Sequence, residues 1–383
     1  MAKSKIQQIF DLGWTDYCCS HNPSAIQSKA ALSLRNCKSG KLGCNIRICD
    51  DCGYTDVHNN SCRNRNCPNC QAVLKELWID QRKSEVIDSP YFHVVFTVPS
   101  ELNALIYSNQ ECLYSLLHRC SAETLLELAA DKKYLGATPG IIQVLHTWGQ
   151  ELNFHPHIHC IVSGGGLTPD RKLKSSDKGF FVPVKVMAPV FRGKLLSCLD
   201  DCYKAGRLVF SSCRKLQNSY EWQELRNRLY KKTWCPDIRE TFNGFGNAIE
   251  YLGRYTHRIA ISNSRILKVT KAQVTFTAKD YKNNSVIKEV TVSPKEFIRR
   301  FMMHVLPAGF QKIRYYGFLN NRSKKKNLKV IFMLQGHQKF KALYQKLSME
   351  GLLKQLWNVD LHICPKCGCS SMMHAGRTYA MRN

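Results

Sequence analysis

Two pairs of cysteines, Cys49-x2-Cys52 in "RICDDCGYTD" and Cys67-x2-Cys70 in "SCRNRNCPNCQ", constrain this chain more than any other feature. Each CxxC turn lets two thiolates meet one tetrahedral ion at about 2.3 Å. With 14 residues between the pairs, the spacing predicts a zinc-ribbon-like site with four cysteine ligands, on a gap slightly shorter than usual. A redox CxxC is the competing reading, but two pairs without a thioredoxin-like context argue against it. Cys37, Cys44, His58 and Cys62 lie nearby and offer four ligands for a second ion; small buried residues explain them equally well. Cys37 and Cys62 are therefore carried as candidate zinc ligands beside the first four. An all-cysteine site has no open coordination position, so its role is structural. Near the other end Cys364-x2-Cys367, with Cys369 and His374, resembles a knuckle without a second half.

The chain carries 19 cysteines. The N-terminal "MAKSKIQQIFDLGW" has no signal-peptide core, and no stretch approaches the ~20 apolar residues of a membrane span. The expectation is a cytoplasmic, nucleoid-associated protein of bacterial type, where cysteines serve metals rather than disulfides. Lys and Arg number 56 against 29 Asp and Glu, a formal charge of +27. That excess points to a polyanion, nucleic acid first, and no basic amphipathic anchor favours a membrane. Arg63 and Arg65, between Cys62 and Cys67, are placed by the stapled turn to meet a phosphate backbone.

Composition shifts divide the chain into residues 1–85, a zinc-binding DNA-recognition domain; 86–345, a catalytic domain with a basic insertion at about 165–240; and a tail, 346–383, with a zinc knuckle. Within the second, "YFHVVFTV" reads as a strand, 100–130 as helix, and "GIIQVLHTW" with "HPHIHCIVS" as antiparallel neighbours. The three glycines after that last strand read as a turn ending it. "NAIEYLGRYTHR" has a helical pattern, three short strands follow, and "SPKEFIRRFMMHVL" is a helix capped by Ser293 with Pro294 at N1 and Glu296 at N3.

"NFHPHIHC" places histidines at 155, 157 and 159, on one face of a strand. Adjacent same-face positions are about 6.7 Å apart, and three in a row span about 13 Å, too far for one ion on a straight strand. Pro156 belongs at a strand start, which selects His157 and His159. Two imidazoles leave a divalent ion under-coordinated. Gln150 is preferred as third ligand and His146 is the other candidate. Such a site suits Mg²⁺ or Mn²⁺ polarising a phosphate oxygen. Tyr251 and Tyr255, four apart on a helical pattern, share one face. Beside a metal-bound phosphodiester, a tyrosine hydroxyl can form a phosphotyrosine link, with Arg254 and Arg258 holding displaced phosphates.

The segments "SCRNRNCPNCQ", "HPHIHCIVSGGGL", "YLGRYTHRIAISNSRI" and "EFIRRFMMHVLPAGFQKIRYYGFL" together resemble rolling-circle insertion-sequence transposases of the HUH class (His, hydrophobic residue, His), the branch with paired tyrosines and an N-terminal zinc-binding domain. The resemblance covers about residues 30–325. It implies an α+β fold, an antiparallel sheet flanked by helices with the His pair on a central strand and the tyrosines on a facing helix. It further implies structural Zn²⁺ on the cysteines, catalytic Mg²⁺ or Mn²⁺ on His157 and His159, and nucleophiles at Tyr251 and Tyr255. The expected partners are single-stranded DNA at element ends, target DNA and host replication factors. A replication initiator or relaxase would share this chemistry, and a non-catalytic zinc-dependent regulator would leave both the His and Tyr pairs unused. A three-carboxylate transposase and a tyrosine recombinase are the remaining alternatives.

Overall fold

The computed structural model describes residues 3–176, 182–234, 236–240, 249, 250, 253, 260–280, 283–338 and 340–379. In chain order the first part holds α1 (Lys5–Ser20), α2 (Ala25–Asn36), β1 (Cys44–Cys49), β2 (Thr55–Asn59), α3 (Ala72–Lys83), β3 (Tyr91–Thr97), α4 (Asn103–Ser108) and α5 (Gln110–Ala130). Then come β4 (Thr138–Trp148), β5 (Phe154–Leu167), β6 (Leu173–Ser175), α6 (Val184–Lys204), α7 (Ser219–Lys231) and β7 (Asp237–Glu240). The last part holds β8 (Ile266–Val269), β9 (Val274–Asp280), β10 (Val286–Val292), α8 (Pro294–Met302), β11 (Ile313–Gly317), α9 (Lys324–Leu334), α10 (Met349–Trp357) and β12 (Met372–Arg377). No helix among the described residues is long and apolar enough to cross a membrane.

The protein is α+β, and an antiparallel sheet ordered β11-β4-β5-β3-β7, with β6 on the end of β5, forms its centre. Alternation along these strands makes two different faces. Phe92, Val94 and Phe96 of β3, Ile141 and Leu145 of β4, and Ile158, Cys160 and Val162 of β5 pack against α4, α5, α6 and α7 in the largest core. The 165–240 segment is thus more regular than its composition suggests: Phe191, Trp222, Leu225 and Trp234 are buried in that same core. The opposite face buries Tyr91, Ile142, Val144 and Ile161 with Ile79 of α3, Ile249 and Ile331 of α9.

Gly164, Gly165 and Gly166 do not end β5. They lie inside it, and Gly165 and Gly166 pair with β6. A Cβ on Gly166 would stand 2.4 Å from the Thr138 carbonyl oxygen, so glycine is required by close backbone approach.

The N-terminal helices share a third core with the second sheet, β10-β9-β8, and with α8: Ile6, Phe10 and Leu34 meet Phe276, Phe297 and Phe301. The cap of α8 is as the sequence predicts, with Ser293 Oγ accepting from Glu296 N at 3.2 Å and Pro294 at N1. The third sheet is ordered β12-β1-β2. A strand of the C-terminal tail therefore completes the N-terminal hairpin.

Candidate metal centre on the central sheet

Strand register brings the histidines together. His146 of β4 pairs directly with His157 of β5, and Val144 pairs with His159. All three imidazoles stand on the face opposite the main core, and each offers a ring nitrogen within 4.8 Å of the other two. Ring centroids lie 5.3 Å apart for His146 and His157, 4.3 Å for His146 and His159, and 4.8 Å for His157 and His159. The three rings form a triangle across two strands, which avoids the span that a row along one strand would impose.

Two of the rings are already oriented. His157 Nδ1 donates to the carbonyl oxygen of His155 at 2.7 Å, leaving Nε2 with its lone pair. His159 Nδ1 lies 2.8 Å from Nε2 of His93, a β3 residue whose ring stacks parallel to it at 5.1 Å. With His159 Nε2 as ligand, Nδ1 carries the proton and donates to His93. Burial pushes the His157 imidazolium down to about 4, and holds that of His159 well below the ordinary value, again through burial first. A neutral imidazole, unlike an imidazolium, can offer a lone pair to a metal. Donor type, closeness and protonation state all fit a divalent cation.

Gln150, the sequence's choice for third ligand, has its described hydrogen bonds with Arg265 and Lys279. It lies in the β4–β5 turn, where its Oε1 accepts from Lys279 N at 3.5 Å and its carbonyl oxygen accepts from Arg265 Nη2 at 2.5 Å. That turn lies beside β9, and His146, the other candidate, is the residue that groups with His157 and His159. His155 is exposed and contributes its backbone carbonyl. His93 was missed. Its signal was a polar residue on the non-core face of a strand whose alternate residues, Phe92, Val94 and Phe96, are apolar.

Tyr251, Tyr255, Arg254 and Arg258 lie outside the described residues. Ile249, Glu250 and Gly253 near them are described. Ile249 is fully buried with Ile142, Val144 and Ile161, on the sheet face that carries the histidines. Glu250 Oε1 accepts from Lys83 Nζ at 2.6 Å. A Cβ on Gly253 would come within 2.5 Å of the Ile79 side chain, so its backbone lies close against α3.

The cysteines divide differently from the spacing-based expectation. Cys67 and Cys70 join Cys37 and Cys62, all four thiols lying within 4.8 Å of one another. Cys37 ends α2, and its Sγ accepts from Cys62 N at 3.5 Å. Thiol hydrogen bonds from Cys62, Cys67 and Cys70 draw the Cys37 thiol far below its ordinary range. Cys49 and Cys52 instead face Cys364 and Cys367 of the tail. The four do not form one ribbon because β1 and β2 carry the first knuckle away from the second. Cys44 touches Thr378, and among the described residues neither it nor His58 enters a metal-ligand cluster.

A cavity of about 360 Å³ is lined by Arg65, Gln71, Trp148, His304 and Lys312. Trp148 stacks on His146 at 4.7 Å, and the Lys312 ammonium lies 4.9 Å above its ring. Burial lowers Lys312 to about 7, with the Arg65 charge second. Arg65 Nη1 donates to the Phe310 carbonyl at 2.7 Å. Arg63 is exposed on the stapled turn, at φ +52°.

This architecture matches known proteins. A family model described as "Transposase zinc-binding domain" matches residues 9–98, and one described as "Putative transposase" matches residues 140–327. The chain is 41% identical over 333 residues to "Putative transposase y4qJ" of Sinorhizobium fredii (strain NBRC 101917 / NGR234), covering 86% of this chain and 84% of that protein. It is 27% identical over 356 residues to the transposase for insertion sequence element IS801 of Pseudomonas savastanoi pv. phaseolicola, covering 90% of this chain and 82% of that protein. The chain belongs to the rolling-circle insertion-sequence transposases. It is an enzyme acting on DNA, with a zinc-binding N-terminal region. The transposase also shows a slight likeness to the metal-bound conjugative relaxase TrwC in complex with oriT DNA, 14% identical at a TM-score of 0.25 and covering 44% of this chain and 71% of that one. That likeness is too distant to carry an argument.

Proposed function

We propose that this transposase nicks and rejoins single-stranded DNA at the ends of its element by metal-assisted attack of tyrosine on a phosphodiester. The observation that carries the reading is the triangle of His146, His157 and His159, with His93 and the His155 carbonyl fixing two of the rings. A divalent ion held there, Mg²⁺ or Mn²⁺, would polarise the scissile phosphate and neutralise developing charge. Three nitrogen donors favour Mn²⁺ over the more oxygen-seeking Mg²⁺.

Tyr251 and Tyr255 are the proposed nucleophiles, supported by the burial of Ile249 on the histidine face and of Gly253 against Ile79. In the step, the tyrosine oxygen bonds to phosphorus as the bond to the 3′ oxygen breaks. The phenolic proton is lost to solvent and the departing 3′ oxygen gains one. The 5′-phosphotyrosine link conserves the bond for rejoining, and a second tyrosine allows a second transfer. Arg254 and Arg258 are assigned to the displaced phosphates. Arg63, exposed on the stapled turn, is assigned to the DNA backbone. Arg65, with Lys312 and Trp148, offers a cationic and aromatic wall beside the metal centre, suited to an unstacked nucleotide.

The test is cleavage of a single-stranded oligonucleotide from the element's end, with Mn²⁺, Mg²⁺ or EDTA, analysed on denaturing gels. The expected result is a covalent protein–DNA band that needs the metal and is absent from Tyr251→Phe/Tyr255→Phe. Tight DNA binding with no adduct under any metal would instead support a non-catalytic regulator.

A further inference from the structure

We propose that Cys49, Cys52, Cys364 and Cys367 hold a second structural zinc ion, in a ribbon assembled from the two ends of the chain. The thiols lie at the spacing that a shared ion demands. Zn–S bonds of about 2.3 Å at tetrahedral angles put sulfurs about 3.8 Å apart. Cys49 Sγ lies 3.6 Å from Cys367 Sγ, and Cys52 Sγ lies 3.7 Å from Cys364 Sγ. A disulfide needs about 2.05 Å and joins two sulfurs, not four.

The two halves are also the same turn built twice. In "CDDCGY" Gly53 has φ +67°, its N–H donates to the Cys49 carbonyl at 2.9 Å, and Cys49 N donates to the Tyr54 carbonyl at 2.9 Å. In "CPKCGC" Gly368 has φ +78°, its N–H donates to the Cys364 carbonyl at 2.9 Å, and Cys364 N donates to the Cys369 carbonyl at 2.8 Å. Each knuckle turns its amides inward and presents two thiolates on one side. Glycine follows the second cysteine in both because the backbone there is left-handed. This repeat is the missing second half of both the 49–52 pair and the 364–367 pair.

The surrounding module has little else to hold it. Among the described residues its core holds Cys49, Cys364 and Met372 buried, with Cys52 and Tyr54 packed beside them. Three short strands with so small a core need a metal or a crosslink to fold. Here β12 pairs antiparallel with β1 from Asn45–Arg377 to Cys49–Met372, so the ion ties together segments more than 300 residues apart. The tail is guided there by Asp80 of α3, whose Oδ2 accepts from Leu343 N at 3.0 Å and Tyr344 N at 2.9 Å. The Cys37, Cys62, Cys67 and Cys70 cluster needs nothing from the tail. The two sites should therefore be lost independently.

Zinc released from the purified full-length protein by a thiol-blocking mercurial and read with a chromogenic chelator should amount to two equivalents. Cys364→Ser/Cys367→Ser should retain one, as should Cys62→Ser/Cys70→Ser. A protease site placed between His337 and Gln338, both exposed, covers the case in which a variant fails to fold. After cleavage the tail should co-elute with the body in zinc and separate when 1,10-phenanthroline strips the metal. One equivalent of zinc in wild type, two retained by Cys364→Ser/Cys367→Ser, or a tail that leaves while zinc stays bound would each overturn the proposal.

Discussion

Replacing His93 with phenylalanine isolates the orienting role assigned to it. The ring, and with it the parallel stack on His159, is kept; the nitrogen 2.8 Å from His159 Nδ1 is lost. In the metal-free protein His159 can answer by moving its proton to Nε2. With a cation on Nε2 that escape is closed, and Nδ1–H is left buried without its acceptor. The penalty, about 1–3 kcal/mol for an unsatisfied buried donor, then falls on the metal-bound form alone. At 1.4 kcal/mol per tenfold, Mn²⁺ affinity should drop roughly 5- to 150-fold, which brackets the 10–100-fold typical of partners behind metal ligands. The assay is a Mn²⁺ titration followed by the electron paramagnetic signal of the free ion, alongside the Mn²⁺ concentration giving half-maximal cleavage. Both should move together, and saturating Mn²⁺ should restore most of the rate. His93→Gln, which keeps an acceptor, should fall between. If His93→Phe titrated like wild type while His157→Ala lost the metal, the hydrogen bond would have no part in holding the ion.

Further outcomes follow from the same geometry. His146→Ala should weaken Mn²⁺ binding by at least about tenfold, whereas Gln150→Ala should leave it unchanged; the reverse pattern would restore Gln150 as third ligand. Arg63→Ala should lower affinity for single-stranded DNA and flatten its logarithmic salt dependence by about 0.7, the value for one phosphate contact; an unchanged slope would remove Arg63 from the interface. Stability should fall on acidification for a stated reason. Burial lowers His118 to about 3 and His304 to about 4, so between about pH 6.5 and those values the unfolded chain binds more protons than the folded one. That contribution is complete above pH 6.5 and is lost as pH falls, at up to ~1.4 kcal/mol per pH unit for each histidine. Urea midpoints measured from pH 7.5 to 4.5 check it, and a flat profile would contradict the buried neutral rings.

Local patterns in this sequence are legible because they depend on neighbours along the chain. The α8 cap needs only Ser293, Pro294 and Glu296, and alternation alone puts His157 and His159 on one face. What crosses between elements is not legible in that way. His146 joins the site through the β4–β5 register, and Gln150 lies in a turn beside β9. The cysteine knuckles were each recognisable, but their pairing was read from proximity in sequence. The protein pairs one knuckle with Cys37 and Cys62, and the other with partners near the far end of the chain. The three glycines illustrate the same limit. They read as a turn by composition, yet serve a strand whose neighbours press against its backbone.

The most direct test of the central claim is peptide mass spectrometry of the adduct formed on a single-stranded element end in Mn²⁺, after nuclease trimming. A nucleotide phosphate is expected on Tyr251 or Tyr255, absent with EDTA and absent when His146, His157 and His159 are all replaced by alanine. An adduct on any other residue, or one that survives loss of the three histidines, would contradict it.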